Sequence, residues 1–135
     1  MAEDILNGVT LQLIRLGLNG LSLRQQVIAH NIANADTPGY QAQAVTFEEA
    51  LQRQMKAQGQ RLALVTTHPA HLRGQAPILA PQVVPRPATT MRPDGNNVDI
   101  DLEMSQLAET TIRYQALTQL AAGKLALLKA AVTER

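Results

Sequence analysis

The sequence predicts a mainly α-helical protein: two long terminal helices form a coiled-coil-like hairpin, joined by a proline-rich, mostly irregular middle segment with room for a short helix or strands. Two observations carry this prediction. Apolar residues recur at alternating spacings of three and four near both ends, and six of the seven prolines fall between Pro69 and Pro93. Of the 135 residues, 45% are hydrophobic but only 2% aromatic, so the core must be built from aliphatic side chains.

The first helix is predicted over residues 3–35, and Asp36-Thr37-Pro38-Gly39 ends it because proline cannot donate the helical hydrogen bond. Its apolar residues form two adjacent seams. The first seam consists of Leu6, Val9, Leu13, Leu16, Gly20, Leu23 and Val27, and the second of Ile14, Leu18, Leu21, Gln25, Ile28 and Ile32. One partner helix cannot bury both seams, so we expect assembly with other molecules. The alternative is that the middle segment folds back over the second seam.

The middle segment, residues 41–98, loses the helical period. A short helix is predicted within residues 41–58, and the apolar runs at 62–65 and 82–84 favour brief strands or extended chain. Prolines recur from Pro69 to Pro93 and prevent a regular helix there, so we expect an extended and partly ordered insertion.

The last helix is predicted over residues 99–133, with acidic residues in its first turn, where they suit the helix dipole. Its seam consists of Met104, Leu107, Thr111, Tyr114, Thr118, Ala121, Leu125, Leu128 and Val132. The two helices can pair antiparallel, or in parallel if the middle segment runs back along them. The chain thus divides into residues 1–40, 41–98 and 99–135, and the two ends form a single assembly domain.

The amino-acid composition argues against catalysis and against cofactor or metal binding. Cysteine and tryptophan are absent, and the formal net charge of +1 provides no pull towards nucleic acid. Ser22 and Ser105 are the only serines and lie within helical patterns, so we expect no enzyme, no cofactor, no metal and no small-molecule substrate. His68 and His71 have a metal-ligand spacing but no third ligand nearby, which leaves a metal-assisted enzyme as the weakest alternative.

The N-terminus and the charge order add two expectations. Glu3 and Asp4 stand where a secretory signal would be basic, and residues 5–23 are too polar for a bilayer-spanning helix. Six basic residues without an acidic one precede five acidic residues without a basic one. The basic residues are Arg53, Lys56, Arg61, Arg73, Arg86 and Arg92, and the acidic ones are Asp94, Asp99, Asp101, Glu103 and Glu109. These blocks are either ordinary solvated surface or head-to-tail contacts between subunits.

The segment Ala29-His30-Asn31-Ile32-Ala33-Asn34-Ala35-Asp36-Thr37-Pro38-Gly39-Tyr40 resembles the signature of bacterial flagellar rod and hook proteins. Residues 66–72, 92–104 and 113–117 resemble the proximal-rod members of that family. The motif residues are Asn31, Ala33, Asn34, Thr37, Pro38, Gly39, Tyr40, Asp94, Gly95, Asn96, Val98, Asp99 and Tyr114. The seam residues expected to mediate assembly are Leu13, Leu16, Leu23, Val27, Leu107, Leu125 and Leu128.

The resemblance implies a structural subunit of the flagellar basal-body proximal rod, whose terminal helices pack into the axial drive-shaft tube. It implies type III export without a cleaved signal peptide and a final place in the periplasmic rod. The implied partners are copies of the chain, other flagellar rod proteins, the adaptor protein FliE and the flagellar export gate. The alternative is a soluble helical adaptor or chaperone of flagellar export.

Overall fold

A computed structural model describes residues 9–59, 80–87 and 92–133 of the chain. Its elements are α1 (Val9–Ala33), β1 (Gln43–Thr46), α2 (Glu48–Gly59), β2 (Gln82–Pro85) and α3 (Ile100–Thr133). The predicted fold class is confirmed: two long helices flank a middle segment with one short helix and two short strands. The expected strand at 62–65, the start of the first helix at 3–8 and the His68–His71 pair lie outside the described residues.

The two long helices pair antiparallel. Asn31, near the end of α1, binds Glu103, near the start of α3, whereas Gly17 lies against Leu117 further along. Between these points Gln25 Nε2 donates to Thr111 Oγ1 at 3.3 Å. The hairpin prediction is therefore confirmed, and of the two orientations left open the chain adopts the antiparallel one.

The inward face of α3 differs from the predicted seam at four of its nine positions. Its buried and half-buried residues include Glu103, Leu107, Thr110, Tyr114, Leu117, Ala121, Lys124 and Leu128. Met104, Thr118, Leu125 and Val132 of the predicted seam are exposed. The predicted seam and the observed inward face both follow alternating spacings of three and four, and they share the other five positions. At one of the differing positions the prediction took the more apolar residue, Leu125 in place of Lys124. A lysine can nevertheless line a helix interface by burying its methylenes and keeping its ammonium in water.

The middle segment also covers part of α1. Leu21 and Val27 of α1 pack with Val45 and Phe47 in one apolar cluster. A Cβ atom added at Gly20 would lie 2.6 Å from the Phe47 ring, so glycine is what lets the ring rest on the helix. Part of the surplus apolar surface of α1 is therefore buried within the chain, by β1 and the residue that follows it.

The strands form a two-stranded antiparallel ribbon in which Gln43 lies opposite Pro85 and Thr46 opposite Gln82. Arg24 of α1 holds this ribbon: its guanidinium stacks 4.9 Å from the centre of the Phe47 ring and donates to the Val45 carbonyl at 2.9 Å. The same guanidinium pairs with Glu48 at the start of α2. The short helix predicted within 41–58 is confirmed, although it starts only at Glu48 because β1 occupies 43–46.

Within the parts of the chain that the structure describes, no helix combines the length and apolarity that crossing a bilayer requires.

Replacement of Gly20 by alanine tests the contact between α1 and the ribbon. We expect Gly20→Ala to lower the free energy of unfolding by about 1–3 kcal/mol, because the methyl group overlaps the Phe47 ring. Gly123→Ala is the matched control: no atom lies within 4 Å of the added Cβ, so it should raise that free energy by about 0.5–1 kcal/mol. Urea unfolding followed by circular dichroism measures both, and equal effects would contradict the packing.

Candidate functional site

The two sequence motifs meet at the closed end of the hairpin, and we call residues 31–43 and 92–103 the junction. The Gly39 N–H donates to the Asp94 carbonyl at 2.9 Å. Gly39 and Gly95 have φ angles of 72° and 80°, the left-handed conformation that glycine adopts without strain. A Cβ atom at Gly95 would lie 3.7 Å from the Gly39 Cα, so the two turns are in contact.

Asn31 is the most connected side chain of the junction. It is fully buried, and its amide nitrogen donates to the Gln43 carbonyl at 2.8 Å and to Glu103 Oε2 at 3.1 Å. Its amide oxygen accepts from the Gln43 N–H at 3.0 Å and from the Tyr40 hydroxyl at 3.1 Å. Both donors and both acceptor positions of the amide are thus used, which offsets the cost of burying it.

Glu103 is the second fully buried polar residue. One carboxylate oxygen accepts from Asn31 and the other from Arg86 Nη1, while Arg86 Nη2 donates to Gln106 Oε1 at 3.1 Å. One carboxylate therefore ties α3 to both α1 and the strand β2. The sequence reasoning missed this role, because an acid in the first turn of a helix is ordinarily exposed.

The burial of Glu103 takes one member of each charge block into a pair within the chain, and the head-to-tail contact between subunits stays a prediction. Arg86 pairs with Glu103, and Arg92 lies 3.6 Å from Asp36, so both arginines meet acids of their own chain. The Asp99 side chain caps α3 by accepting from the N–H groups of residues 101 and 102 at 3.0 and 3.2 Å. A contact between subunits would have to use other members of the two blocks.

Asn96 closes the end of α1. It is fully buried, and its amide nitrogen contacts the carbonyls of Asn34, Ala35 and Thr37 at 2.9–3.0 Å. Arg92 donates to the Ala35 carbonyl as well, at 3.0 Å. These carbonyls belong to the turn that follows α1, so the two side chains hold the chain where it leaves the helix. The helix accordingly ends at Ala33, three residues before the predicted Asp36–Gly39 turn.

The rest of the junction is held by a small apolar cluster and by further hydrogen bonds. Ala35, Ala42 and Val98 form a small buried cluster against Tyr40. The Ala42 N–H donates to Asn97 Oδ1 at 2.6 Å, and Asp94 Oδ1 accepts from the Asn96 N–H at 3.1 Å. The predicted motif residues on the outer surface are Ala33, Thr37, Pro38, Gly39, Asp94 and Asp99. Asn34 is half-buried and donates to the His30 carbonyl at 2.8 Å.

One predicted motif residue lies elsewhere. Tyr114 of α3 packs, half-buried, against the cluster that contains Phe47, midway along the hairpin. Residues that the motifs did not name complete the junction: Gln43, Arg86, Asn97 and Glu103 each bond to a residue at least 11 positions away in the chain. Asn97 and Glu103 lie within the resemblance at 92–104, but no local pattern reports the distant partners of any of the four.

Burial and charge both act on Tyr40. Burial raises the pKa of its hydroxyl above the ordinary value of 10.0, and the nearby negative charge of Glu103 raises it further. The hydroxyl therefore stays protonated and keeps donating to Asn31 across the neutral range. Among the residues that the structure describes, no three histidine, aspartate or glutamate side chains come together as a metal site would need.

The predicted seam residues are divided between the inside and the outside of the hairpin. Val27 is buried, whereas Leu13, Leu16, Leu23, Leu107 and Leu128 are half-buried. Leu125 is 56% exposed. Further exposed apolar residues on the second half of α3 are Leu120, Leu127 and Val132. Leu120 and Leu127 share one face and Leu125 and Val132 another, so this part of the helix is apolar on more than one side.

Comparison with known proteins finds relatives over most of the chain. A family model described as "Flagella basal body rod protein" matches residues 14–41, which are most of α1 and the first motif of the junction. The flagellar basal body rod protein FlgB of Bacillus subtilis is 36% identical over 124 residues, covering 92% of this chain and 93% of that protein. FlgB of Salmonella typhimurium is 39% identical over 73% of this chain and 74% of its own, and FlgB of Escherichia coli K12 is 36% identical over 80% and 81%.

The helical hairpin closed by the junction is thus that of a flagellar basal body rod protein, a structural component of the bacterial flagellum. Within that class, the chain belongs to the FlgB family. The family resemblance inferred from the Asn31–Tyr40 motif is confirmed.

The buried pair Glu103–Arg86 can be tested by a double-mutant cycle. Glu103→Leu should lower the free energy of unfolding by about 2–4 kcal/mol, since it leaves the Arg86 guanidinium, 19% exposed, without its carboxylate and the buried Asn31 amide without one acceptor. Adding Arg86→Met should recover a large part of that loss. Glu109→Leu is the control, because its pair with Arg113 is exposed and should contribute less than about 1 kcal/mol. Additive effects of the first two substitutions would refute the coupling.

Tyr40 can be titrated alone in a Tyr114→Phe variant, because the chain has two tyrosines and no tryptophan. Its phenolate absorbance should appear above pH 10.0 in the folded chain and near that value in urea. A raised folded-state pKa means that the contribution of Tyr40 to stability is complete below the unfolded pKa and is lost as the pH rises through the folded pKa. A folded-state titration at or below 10.0 would contradict the burial of this hydroxyl.

Proposed function

We propose that the chain is a subunit of the proximal part of the flagellar rod and that it assembles through its terminal helices into the axial tube. The observation that carries this proposal is the apolar second half of α3, where Leu120, Leu125, Leu127 and Val132 are each more than half exposed. A helix that is apolar on several sides is stable in water only when other helices cover it. A tubular assembly of like subunits supplies such neighbours on both sides.

The same proposal includes the division of the chain that the sequence indicates. Residues 1–40 and 99–135 form a single assembly domain, and residues 41–98 are the segment between its two parts. The junction fixes where the chain leaves α1 and where α3 begins, because Asn31 of the first segment bonds to Glu103 and Asn96 of the second bonds to Asn34. The half-buried Leu13, Leu16 and Leu23 are proposed to complete their burial against neighbouring subunits.

The proposed partners are copies of the chain, other rod proteins, the adaptor FliE and the flagellar export gate. Export through the flagellar apparatus without a cleaved signal peptide, and a purely structural role without enzymatic activity, belong to the same proposal. Membership of the rod-protein family supports these statements. No feature of the hairpin favours the alternative of a soluble export chaperone.

Complementation tests this proposal. In a flagellated bacterium that lacks its own FlgB, the chain should restore swimming and should co-purify with detergent-extracted basal bodies. Leu120→Glu/Leu127→Glu should reduce the amount in basal bodies by more than about tenfold, because two leucines would no longer be buried between subunits. Gln115→Glu/Ala122→Glu is the matched control, with the same seven-residue spacing on another exposed face of α3.

Circular dichroism of the purified variants ensures that both pairs remain helical. A wild-type chain that stays entirely in the cytosolic fraction would refute the proposed role. Equal incorporation of the leucine variant and the control would refute the proposed contact surface alone.

A further inference from the structure

Among the residues that the structure describes, β1 and β2 are the strands of the ribbon, and their hydrogen bonding shows which peptide groups point outwards. The Arg86 N–H donates to the Ala42 carbonyl at 2.8 Å, and the register continues through Ala44 opposite Val84 and Thr46 opposite Gln82. In an antiparallel pair, every second residue turns its peptide groups towards the partner strand and the others turn them away. The even-numbered residues of both strands therefore bond across the ribbon, and the odd-numbered ones present their N–H and C=O groups outwards.

Side chains of α1 close the outer edge of β1. Asn31 bonds to both the N–H and the C=O of Gln43, and Arg24 donates to the Val45 carbonyl. These two residues are seven positions apart on one face of α1, so the helix occupies the place that a third strand would take. An added strand cannot reach this edge without displacing α1.

The outer edge of β2 is closed in a different way. Its outward-facing positions within the strand are Val83 and Pro85, and the same alternation continues to Pro81 before the strand and Pro87 after it. Proline has no N–H to donate. Among residues 81–87, Val83 is thus the one outward-facing position with a donor, and its side chain is 44% exposed.

We propose that these prolines at alternate positions block strand addition to the ribbon, so that copies of the chain associate through their helices and not through their strands. A two-stranded ribbon with an exposed valine is otherwise a ready template for another strand. Proline on an edge strand removes the donors that such pairing needs and leaves the ribbon itself intact, because the even-numbered N–H groups are unaffected. That copies associate through their helices rests on the proposed function, whereas the blocked edge of β2 does not depend on it.

The test uses the purified full-length chain and two matched triple variants. Pro81→Val/Pro85→Val/Pro87→Val restores three outward N–H groups, whereas Thr46→Val/Ala80→Val/Gln82→Val adds three valines at even-numbered positions. The readout is the infrared band of intermolecular β-sheet together with sedimentation, since association of helices does not produce that band. We expect the first variant to form β-rich assemblies at a concentration about tenfold lower than wild type, and the second to behave as wild type.

A third variant, Pro81→Lys/Pro85→Lys/Pro87→Lys, restores the same N–H groups but adds charge to the edge, so it should remain dispersed. If the valine variant stays as dispersed as wild type, the prolines do not block strand addition at the edge of β2. If the even-numbered control assembles as readily, added hydrophobicity is the cause. If the lysine variant assembles as readily, disrupted folding is the cause, and either result overturns the proposal.

Discussion

The structure depends on the hydrogen bond between Asn31 and Glu103, two fully buried polar side chains on different helices. Around this bond lie three further residues that join other parts of the chain to it: Tyr40 and Gln43 after α1, and Arg86 directly after β2. Apolar side chains at the two positions would pack almost as well if one helix slid along the other. The carboxylate is satisfied only where Asn31 and Arg86 converge, so the polar pair links the hairpin and the ribbon to a single arrangement.

The end of α1 shows how far the two termini of the chain depend on each other. The carbonyls of the turn that follows it are bonded by Asn96 and Arg92, roughly sixty residues further along the chain. Buried carbonyls without such partners would each cost about as much as a lost hydrogen bond. The turn after the first helix is therefore stable only when the junction forms. The junction of this chain is thus held by two buried amides and a buried carboxylate as well as by its small apolar cluster.

The sequence predicted both long helices, the short helix and the strand at 82–84, because each leaves a local trace in the spacing of apolar residues or in a valine run. The motif resemblance identified Asn31 and Asn96, but neither their partners nor their burial. Glu103 and Arg86 escaped because nothing within a few residues of either distinguishes them from exposed charges. The inward face of α3 was misplaced for a related reason: Leu117 and Thr118, or Lys124 and Leu125, offer two stripes, and contact with α1 selects between them.

The antiparallel pairing gives the molecule two unlike poles. One pole is the junction, where the chain is closed and polar side chains are hydrogen-bonded. The other pole is the far end of α3, a helix of 34 residues and about 50 Å, whose second half carries exposed leucines and a valine. Copies laid side by side in one orientation would place all their closed poles at one end and all their apolar poles at the other. A tube built in that way has a direction along its axis, set by where one asparagine and one glutamate meet in each subunit.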